Sequence, residues 1–385
     1  MRRRLTVIAL LLTILSTGTA AQDAKTIIGE ASKAMGAENL NAITYSGSAS
    51  NINFGQTKSI GGPYVLSTTI TNYTRAIDFT QPASRATGTT MTPAPPGAPA
   101  VPPGTLNQNI TPANAAWTQQ LEIWTTPWGF LKGAAANGAT VRSQRIGGKT
   151  VNVVSWSTSQ KAPSGKSYTV IGYIDDKNMV ERVETWVEHP VLGDLQVEST
   201  YTDYRDFGDL KVPGKIVQKR AGWPTFEATI ASASANPANI TALLTPPPPA
   251  GAPTAGRGAA PAGPPAQPPL QSEKLADGVY RITGGYVALA VEMKDHVVVL
   301  EGGQNEARGL AVIAETKRVI PNKPIRFVVN THAHFDHASG LAPFVAEGIT
   351  IITHENNDDF LEKALARREP WWETRWRKQT GNPRS

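Results

Sequence analysis

The chain has 385 residues, which is long enough for two domains that each bury their own core. Its composition, with 40% hydrophobic and 18% charged residues, is that of an ordinary globular protein. The net charge of +6 does not indicate binding to nucleic acid, because it comes from the two ends of the chain: three charges from Arg2–Arg4 and a net four from residues 367–385. The chain between them carries about −1, which excludes a basic surface for polyanions.

The first 21 residues are predicted to be a secretory signal peptide. Arg2–Arg4 form a basic n-region, residues 5–15 form an apolar core, and small residues such as Ala20 and Ala21 are suited to cleavage. The apolar run is too short to span a bilayer comfortably, so we expect no stable membrane anchor after cleavage. The chain contains no cysteine, which excludes disulfides and a lipid-bearing thiol. A periplasmic or secreted protein is predicted.

Residues 22–244 are predicted to form a mainly antiparallel β domain that opens with a helix, since Ile27, Ile28, Ala31 and Met35 share one helical face. Short runs rich in Val, Thr, Tyr and Ile follow, and their alternating polarity is typical of strands with one buried face. The clearest runs are TYSGSASNINFG, YVLSTTITNY, KTVNVVSWSTS, KSYTVIGYID, MVERVETWVE and LQVESTYTDY.

Two further segments of this domain are predicted not to be strands. A helical interruption at residues 126–139 is expected to lie across the open face of the sheet. The Pro-rich stretch at residues 92–104 is predicted to be a surface loop.

The β domain resembles the lipoprotein-carrier-like domains of the bacterial envelope, and DYRDFGDLKVPGKIVQ at residues 203–218 is the most similar stretch. The resemblance implies a curved antiparallel sheet, partly covered by helices, that holds an apolar or lipid-like ligand in its concavity. A plain scaffold or spacer domain is the alternative.

Residues 245–271 consist almost entirely of Pro, Ala and Gly and are predicted to be an extended linker. The pattern of predicted elements then changes in residues 272–366, where strands first pair as a hairpin and then alternate with helices. The predicted strands are GVYRITGG, YVALAVEM, HVVVLEGG, PIRFVVN and ITIIT; the predicted helices are NEARGLAVIAETKRV, ASGLAPFVAEG and NDDFLEKALA. The first of these helices is expected to place Leu310, Ile313 and Ala314 on one face.

Half of the six histidines of the chain lie in the hexapeptide HAHFDH, directly after the apolar strand PIRFVV. In extended backbone, residues two apart point the same way, so His332 and His334 are expected to converge on one metal ion. Asp336 and His337 enter the next helix and are expected to reach a second position nearby. Imidazole and carboxylate ligands favour zinc or a similar first-row ion, and a metal-bound water loses its proton near neutral pH to become a nucleophile.

The hexapeptide matches the HxHxDH signature of the metallo-β-lactamase fold superfamily, and the preceding hairpin and the Glu301-Gly302-Gly303 turn are also similar to that family. The resemblance implies two zinc ions, with His332 and His334 in the first site and Asp336 and His337 in the second. Asp336 is also the catalytic candidate, as a ligand of the second ion or as the group that orients the bridging hydroxide.

The implied fold is a sandwich of two similar halves, and the remaining ligands of that family follow well downstream. No histidine follows His354, so we interpret residues 272–366 as the first half of such a domain, with a metal site that is inactive or impaired. Residues 367–385 hold three tryptophans and six basic side chains without a helical or strand period. We interpret them as out-of-frame translation that begins near Arg367, with a genuine basic tail as the alternative.

The predicted fold class is therefore α+β: a mainly antiparallel β domain, a Pro-rich linker, and the first half of an αβ/βα metallo-β-lactamase sandwich. The predicted function is that of an exported zinc hydrolase that attacks an ester, thioester, lactone or lactam carbonyl of a small-molecule substrate. The alternative is a non-enzymatic envelope protein that binds an apolar or lipid-like ligand through its β domain. The oligomeric state stays open.

Overall fold

The structure is a computed structural model that describes residues 16–52, 67–94, 97, 99–111, 117–162, 165–189, 193–246, 270–359 and 361–362. The apolar core of the predicted signal peptide, nearly all of the predicted linker and the whole of the predicted tail lie outside these residues. In the part of the chain that is described, no helix is long and apolar enough to cross a membrane. Strands account for 46% and helices for 22%, so the protein is mainly β.

The first described element is helix α1 (Ser16–Ala34), which packs against the large sheet through the predicted apolar face. Ile28, Ala31 and Met35 are buried in the core. Gly36 follows two residues after the end of the helix, and its φ of +66° favours glycine. Glycine is also required there for space, because a Cβ would lie 2.0 Å from the carbonyl oxygen of Asp209.

Within the described residues, eleven strands form one antiparallel sheet in the order β4-β3-β2-β1-β13-β12-β9-β8-β7-β6-β5. Neighbours in sequence are mostly neighbours in the sheet, as the alternating runs predict. Strand β1 is an exception, because it also pairs with β13. The strands are β1 (Ala42–Asn51), β2 (Thr68–Asp78), β3 (Ala83–Met91), β4 (Gly104–Ile110), β5 (Thr140–Ile146), β6 (Lys149–Ser157), β7 (Thr169–Ile174), β8 (Val180–His189), β9 (Gly193–Thr202), β12 (Lys215–Arg220) and β13 (Trp223–Ala235).

Helices α2 (Trp117–Trp124) and α3 (Pro127–Ala136) lie against this sheet, and α3 falls within the predicted helical interruption. Thr126 caps α3 by accepting a hydrogen bond from the backbone N–H of Gly129, and Pro127 follows at the first helical position. Its aromatic residues Trp128 and Phe130 are fully buried. These contacts build a core between the helices and the sheet.

Two small elements extend the domain. Strands β10 (Arg205–Phe207) and β11 (Leu210–Val212) form a hairpin within the stretch that resembles the carrier-like domains. Helix α4 (Ile240–Leu244) ends where the predicted linker begins. The Pro-rich stretch at residues 92–104 connects β3 to β4, and its described side chains are mostly exposed, as expected for a surface loop.

The C-terminal region has a separate core and, within the described residues, one six-stranded sheet in the order β14-β15-β16-β17-β18-β19. The first four strands pair antiparallel, whereas β17, β18 and β19 are parallel, with helices in the connections. The strands are β14 (Gln271–Ala276), β15 (Val279–Thr283), β16 (Ala288–Glu292), β17 (Val297–Leu300), β18 (Ile325–Val329) and β19 (Thr350–Ile352). The helical elements are α5 (Glu306–Val319), α6 (Phe335–Ala338), α7 (Ala342–Ala346) and a 3-10 turn at Glu355–Asn357.

Helix α5 buries a different face from the one that the sequence predicts. Ile313 is buried, but Leu310 is only partly buried and Ala314 is exposed. The buried face runs through Gly309 and Val312, because α5 approaches the chain at Gly340 so closely that a Cβ on Gly309 would lie 2.2 Å from the Gly340 carbonyl oxygen. Backbone contact, rather than the largest apolar side chains, sets the orientation of this helix.

Candidate metal centre

The hexapeptide lies at the carboxyl end of the parallel strands of the C-terminal sheet. Strand β18 ends at Val329, and the chain then runs through Asn330, whose N–H donates to the Ile352 carbonyl at the end of β19. On the other side, the N–H of Glu301 donates to the Val329 carbonyl just after β17. The carboxyl ends of parallel strands are where open α/β sheets bind ligands. We call residues 330–337 the histidine loop.

The structure brings the three predicted histidines of the loop together. The ring centroids of His332 and His334 lie 4.5 Å apart, and those of His332 and His337 lie 4.1 Å apart. His334 is still extended and stands at the N-terminus of α6, whereas His337 is in the helical turn that follows. The turn therefore folds His337 back over His332.

Asp336 is largely buried and lies beside this group of rings. Its Oδ2 atom is 3.4 Å from Nε2 of His337. All four residues that the sequence predicts as ligands thus occupy one small volume at the sheet edge. The sequence predicts two pairs of ligands, His332 with His334 and Asp336 with His337. In the structure the ring of His332 lies closer to that of His337 than to that of His334.

Glu301 is the site residue that the motif does not reveal. Its Oε2 atom lies 3.1 Å from Nδ1 of His337, and its Oε1 atom accepts a hydrogen bond from the Thr331 hydroxyl. The same hydroxyl lies 2.9 Å from Nδ1 of His332. Glu301 thereby reaches two imidazoles, and the signal that points to it is its place directly after the strand beside β18.

The backbone of Glu301 is in the left-handed region, with a φ of +74°. This conformation is costly for a residue with a Cβ and is concentrated at functional sites. In the turn Glu301-Gly302-Gly303, a carboxylate therefore occupies a position that glycine would fill with less strain.

Burial, together with the neighbouring His337 and His334, lowers the pKa of His332 below its usual value. A lowered pKa keeps the imidazole neutral at neutral pH. Neutral imidazole is the form that binds a metal ion.

The other described histidines have different roles. His354 follows β19, and its Nδ1 accepts a hydrogen bond from the N–H of Asn356, so it caps the 3-10 turn. His296 pairs with Asp295 at 2.8 Å in the turn between β16 and β17. Both side chains thus make structural contacts away from the histidine loop.

The donor types of the histidine loop fit zinc, but the number of converging donors does not complete a site. In the ranges that the structure describes, no group of three or more His, Cys, Asp or Glu side chains is arranged to hold one metal ion. Catalytic zinc sites use three protein ligands. The buried Oε2 of Glu301 and Nδ1 of His337 have no hydrogen-bond partner among these residues, which is the pattern of a polar site whose contacts are incomplete.

Comparison with known proteins places the C-terminal region in context. The family model for the metallo-beta-lactamase superfamily matches residues 283–381, a range that runs past residue 366 into the predicted tail. No curated protein matches the chain.

Several solved metallo-beta-lactamase structures are similar to part of this chain. One from Hirschia baltica is 26% identical, with 25% of this chain and 48% of that chain covered and a TM-score of 0.23. The FIM-1 enzyme from Pseudomonas aeruginosa in its mono-zinc form is 24% identical, with 26% and 49% covered and a TM-score of 0.23. One from Erythrobacter litoralis is 22% identical, with 25% and 46% covered and a TM-score of 0.23. The chain spans about half the length of the structures that it matches.

Proposed function

The family model for the metallo-beta-lactamase superfamily matches residues 283–381, and from that match we propose that the C-terminal region is the metal-binding region of an exported zinc-dependent hydrolase. The observation that carries the proposal is the cluster of His332, His334 and His337 at the carboxyl end of parallel strands, with ring centroids 4.1 to 4.5 Å apart. The proposed substrates are small molecules with an ester, thioester, lactone or lactam carbonyl.

His332 and His334 would hold a first zinc ion, and Asp336 and His337 a second. Zinc, when bound, lowers the pKa of a water molecule and polarises the substrate carbonyl. At most two donors per ion come from the histidine loop, so the coordination sphere needs ligands from beyond it.

Hydrogen bonds of the chain's own residues support this assignment by setting the imidazole tautomers. The Thr331 hydroxyl donates to Glu301, so its oxygen is left to accept from Nδ1–H of His332. Nε2 of His332 then carries the free lone pair that a metal ligand needs. Oε2 of Glu301 lies 3.1 Å from Nδ1 of His337 without a hydrogen bond between them, so its negative charge faces that ring. Carboxylates that hold metal-ligating histidines from behind are typical of zinc sites.

Export to the periplasm or the medium is part of the proposal. It is supported by the basic, apolar and small-residue order of residues 1–21 and by the absence of cysteine from the sequence. An exported zinc site in this chain would use imidazole and carboxylate ligands without thiolates.

The test is to measure bound zinc by elemental analysis of the purified full chain and of the variant H332A/H334A. We expect metal in the wild-type protein and a loss of at least tenfold in zinc affinity in the variant, since both removed rings belong to the proposed first site. The matched control is H296A/H354A, which removes two histidines that have structural contacts and should leave zinc affinity unchanged.

Hydrolysis is measured on the same samples with ester, thioester and lactam probes. Zinc-dependent turnover that disappears in H332A/H334A would support the proposed reaction. A wild-type chain that binds no zinc, or the same affinity in both double variants, would contradict it.

A further inference from the structure

A cavity of about 580 Å³ is lined mainly by strands of the large sheet, together with Glu122 of helix α2. Small-molecule sites have volumes of roughly 300–1,000 Å³. The cavity is large enough for a ligand of that size, and Phe335 of the histidine loop also lines it. We call it the sheet cavity.

One wall of the sheet cavity is apolar. It is formed by Ile70 and Tyr73 of β2, Leu106 of β4 and Phe226 of β13. The rings of Tyr73 and Phe226 pack with centroids 5.7 Å apart. A hydrocarbon or aromatic group bound against this wall would be removed from water.

Arg75 lines the same cavity, but its charge is already compensated. The guanidinium donates to the Tyr73 hydroxyl at 2.8 Å and to Gln108 Oε1 at 2.9 Å, and it lies 3.2 Å from Oε2 of Glu122. A third donor reaches the Ser84 hydroxyl at 2.9 Å. Arg75 and Glu122 therefore form a closed, neutral polar floor.

Arg220, at the end of β12, is different. Its side chain lines the sheet cavity, yet no hydrogen-bond or ion-pair partner for its guanidinium occurs in the part of the chain that the structure describes, and its Nε atom is buried. His189 lines the cavity nearby. Burial, together with the charge of Arg220, lowers the pKa of His189 to about 4, so His189 is neutral and Arg220 is the charged group at this end.

We propose that the sheet cavity binds a fatty-acid-class monocarboxylate, with the carboxylate on Arg220 and the hydrocarbon chain against the apolar wall of Ile70, Tyr73, Leu106 and Phe226. The guanidinium fork matches a carboxylate in geometry, and a half-buried cation without a partner gains most from an anion. Because Arg75 and Glu122 neutralise each other, Arg220 is the one uncompensated charge among the described lining side chains, so a monoanion matches it better than a phosphate dianion. The resemblance to carrier-like domains implies an apolar ligand. The positive charge of Arg220 further implies a negatively charged group on that ligand.

The test uses the purified full chain at pH 7.5 in the presence of EDTA, so that its result is independent of zinc and of any hydrolase activity. Binding of dodecanoate, dodecanol and dodecylammonium is measured by isothermal titration calorimetry below their aggregation limits. We expect dodecanoate to bind at least tenfold more tightly than dodecanol, and dodecylammonium to bind most weakly.

The charge is assigned with two matched variants. R220Q should bind dodecanoate and dodecanol equally, whereas K219Q should keep the wild-type preference, because Lys219 does not line the cavity and pairs with Glu198 instead. Equal binding of the three probes to the wild-type chain, absence of binding, or an unchanged preference in R220Q would each overturn the proposal. The wild-type comparison decides even if R220Q does not fold.

Discussion

Each of the two regions buries an arginine, and the two are stabilised differently. Arg75 in the large sheet is 3% exposed and meets a carboxylate, two hydroxyls and an amide. Arg308 in the C-terminal region is 2% exposed and, within the described residues, donates only to backbone carbonyls. Burial lowers the pKa of both groups, but Tyr73 and Glu122 outweigh it for Arg75, so its pKa is raised, whereas that of Arg308 is lowered.

The difference reflects what each arginine holds. Arg75 ties strands β2, β3 and β4 to helix α2 and completes a core. Arg308 gathers the carbonyls of Ile282, Thr283, Gly284 and Tyr286, which fixes the loop between β15 and β16. The ring of Tyr286 in that loop lies 6.0 Å from the ring of His337. The first arginine stabilises a domain, and the second positions a loop beside the candidate metal centre.

The largest effect is expected for Arg75→Met. The substitution leaves the partly buried Glu122 and several buried polar groups without their partner, which costs about 4 kcal/mol of the free energy of unfolding. Calorimetry of the full chain should show this loss in the transition of the large sheet, because the two regions have separate cores. Lys211→Met is the control, since Lys211 forms an ion pair with the exposed Asp206 and its loss should cost about 1 kcal/mol or less.

A second variant tests the charge-pair explanation for Arg75. The double substitution R75M/E122L removes both charges together and should recover more than half of the lost stability. If it is as unstable as the single variant, the loss comes from packing of the arginine stem, and the contrast with Arg308 fails.

Arg308→Met is expected to cost about 3 kcal/mol in the C-terminal transition alone, because four backbone carbonyls lose a charged donor. The control is Arg318→Met, whose guanidinium is exposed and pairs with Glu315. Hydrogen exchange should show the loop of residues 282–286 opening in the first variant and not in the second. Unchanged protection of that loop would contradict the role given to Arg308.

Sequence patterns do not predict the burial of Arg75 or of Arg308. Periodicity predicts α1 and strands such as β7 and β9, because their burial follows the period that a helix or strand imposes. Strands β3 and β5 are poor in large apolar residues and are held by pairing with strands next to them in sequence, so their own composition gives little signal. A buried arginine looks like a surface residue until its partners are known.

The candidate metal centre likewise has a part that a local sequence pattern predicts and a part that depends on long-range contacts. The hexapeptide predicts the position of His332, His334, Asp336 and His337, because the motif is local and follows directly on a strand. Glu301 is 36 residues before His337 and comes close to it through the parallel pairing of β17 with β18. Long-range pairing of this kind has no signature in the spacing of residues.

The smallest effect, and the one that joins stability to function, is expected for Glu301→Gln. The amide keeps an acceptor for Thr331 but removes the negative charge opposite His337, so zinc affinity should fall by about tenfold, or about 1.4 kcal/mol. Competition with a chromophoric chelator measures the affinity. Glu347→Gln is the matched control, because Glu347 pairs with Lys317 on the surface of the same region. An equal change in both variants would mean that Glu301 acts only through the net charge of the region, whereas a loss confined to Glu301→Gln would show that this carboxylate holds His337 for a metal ion.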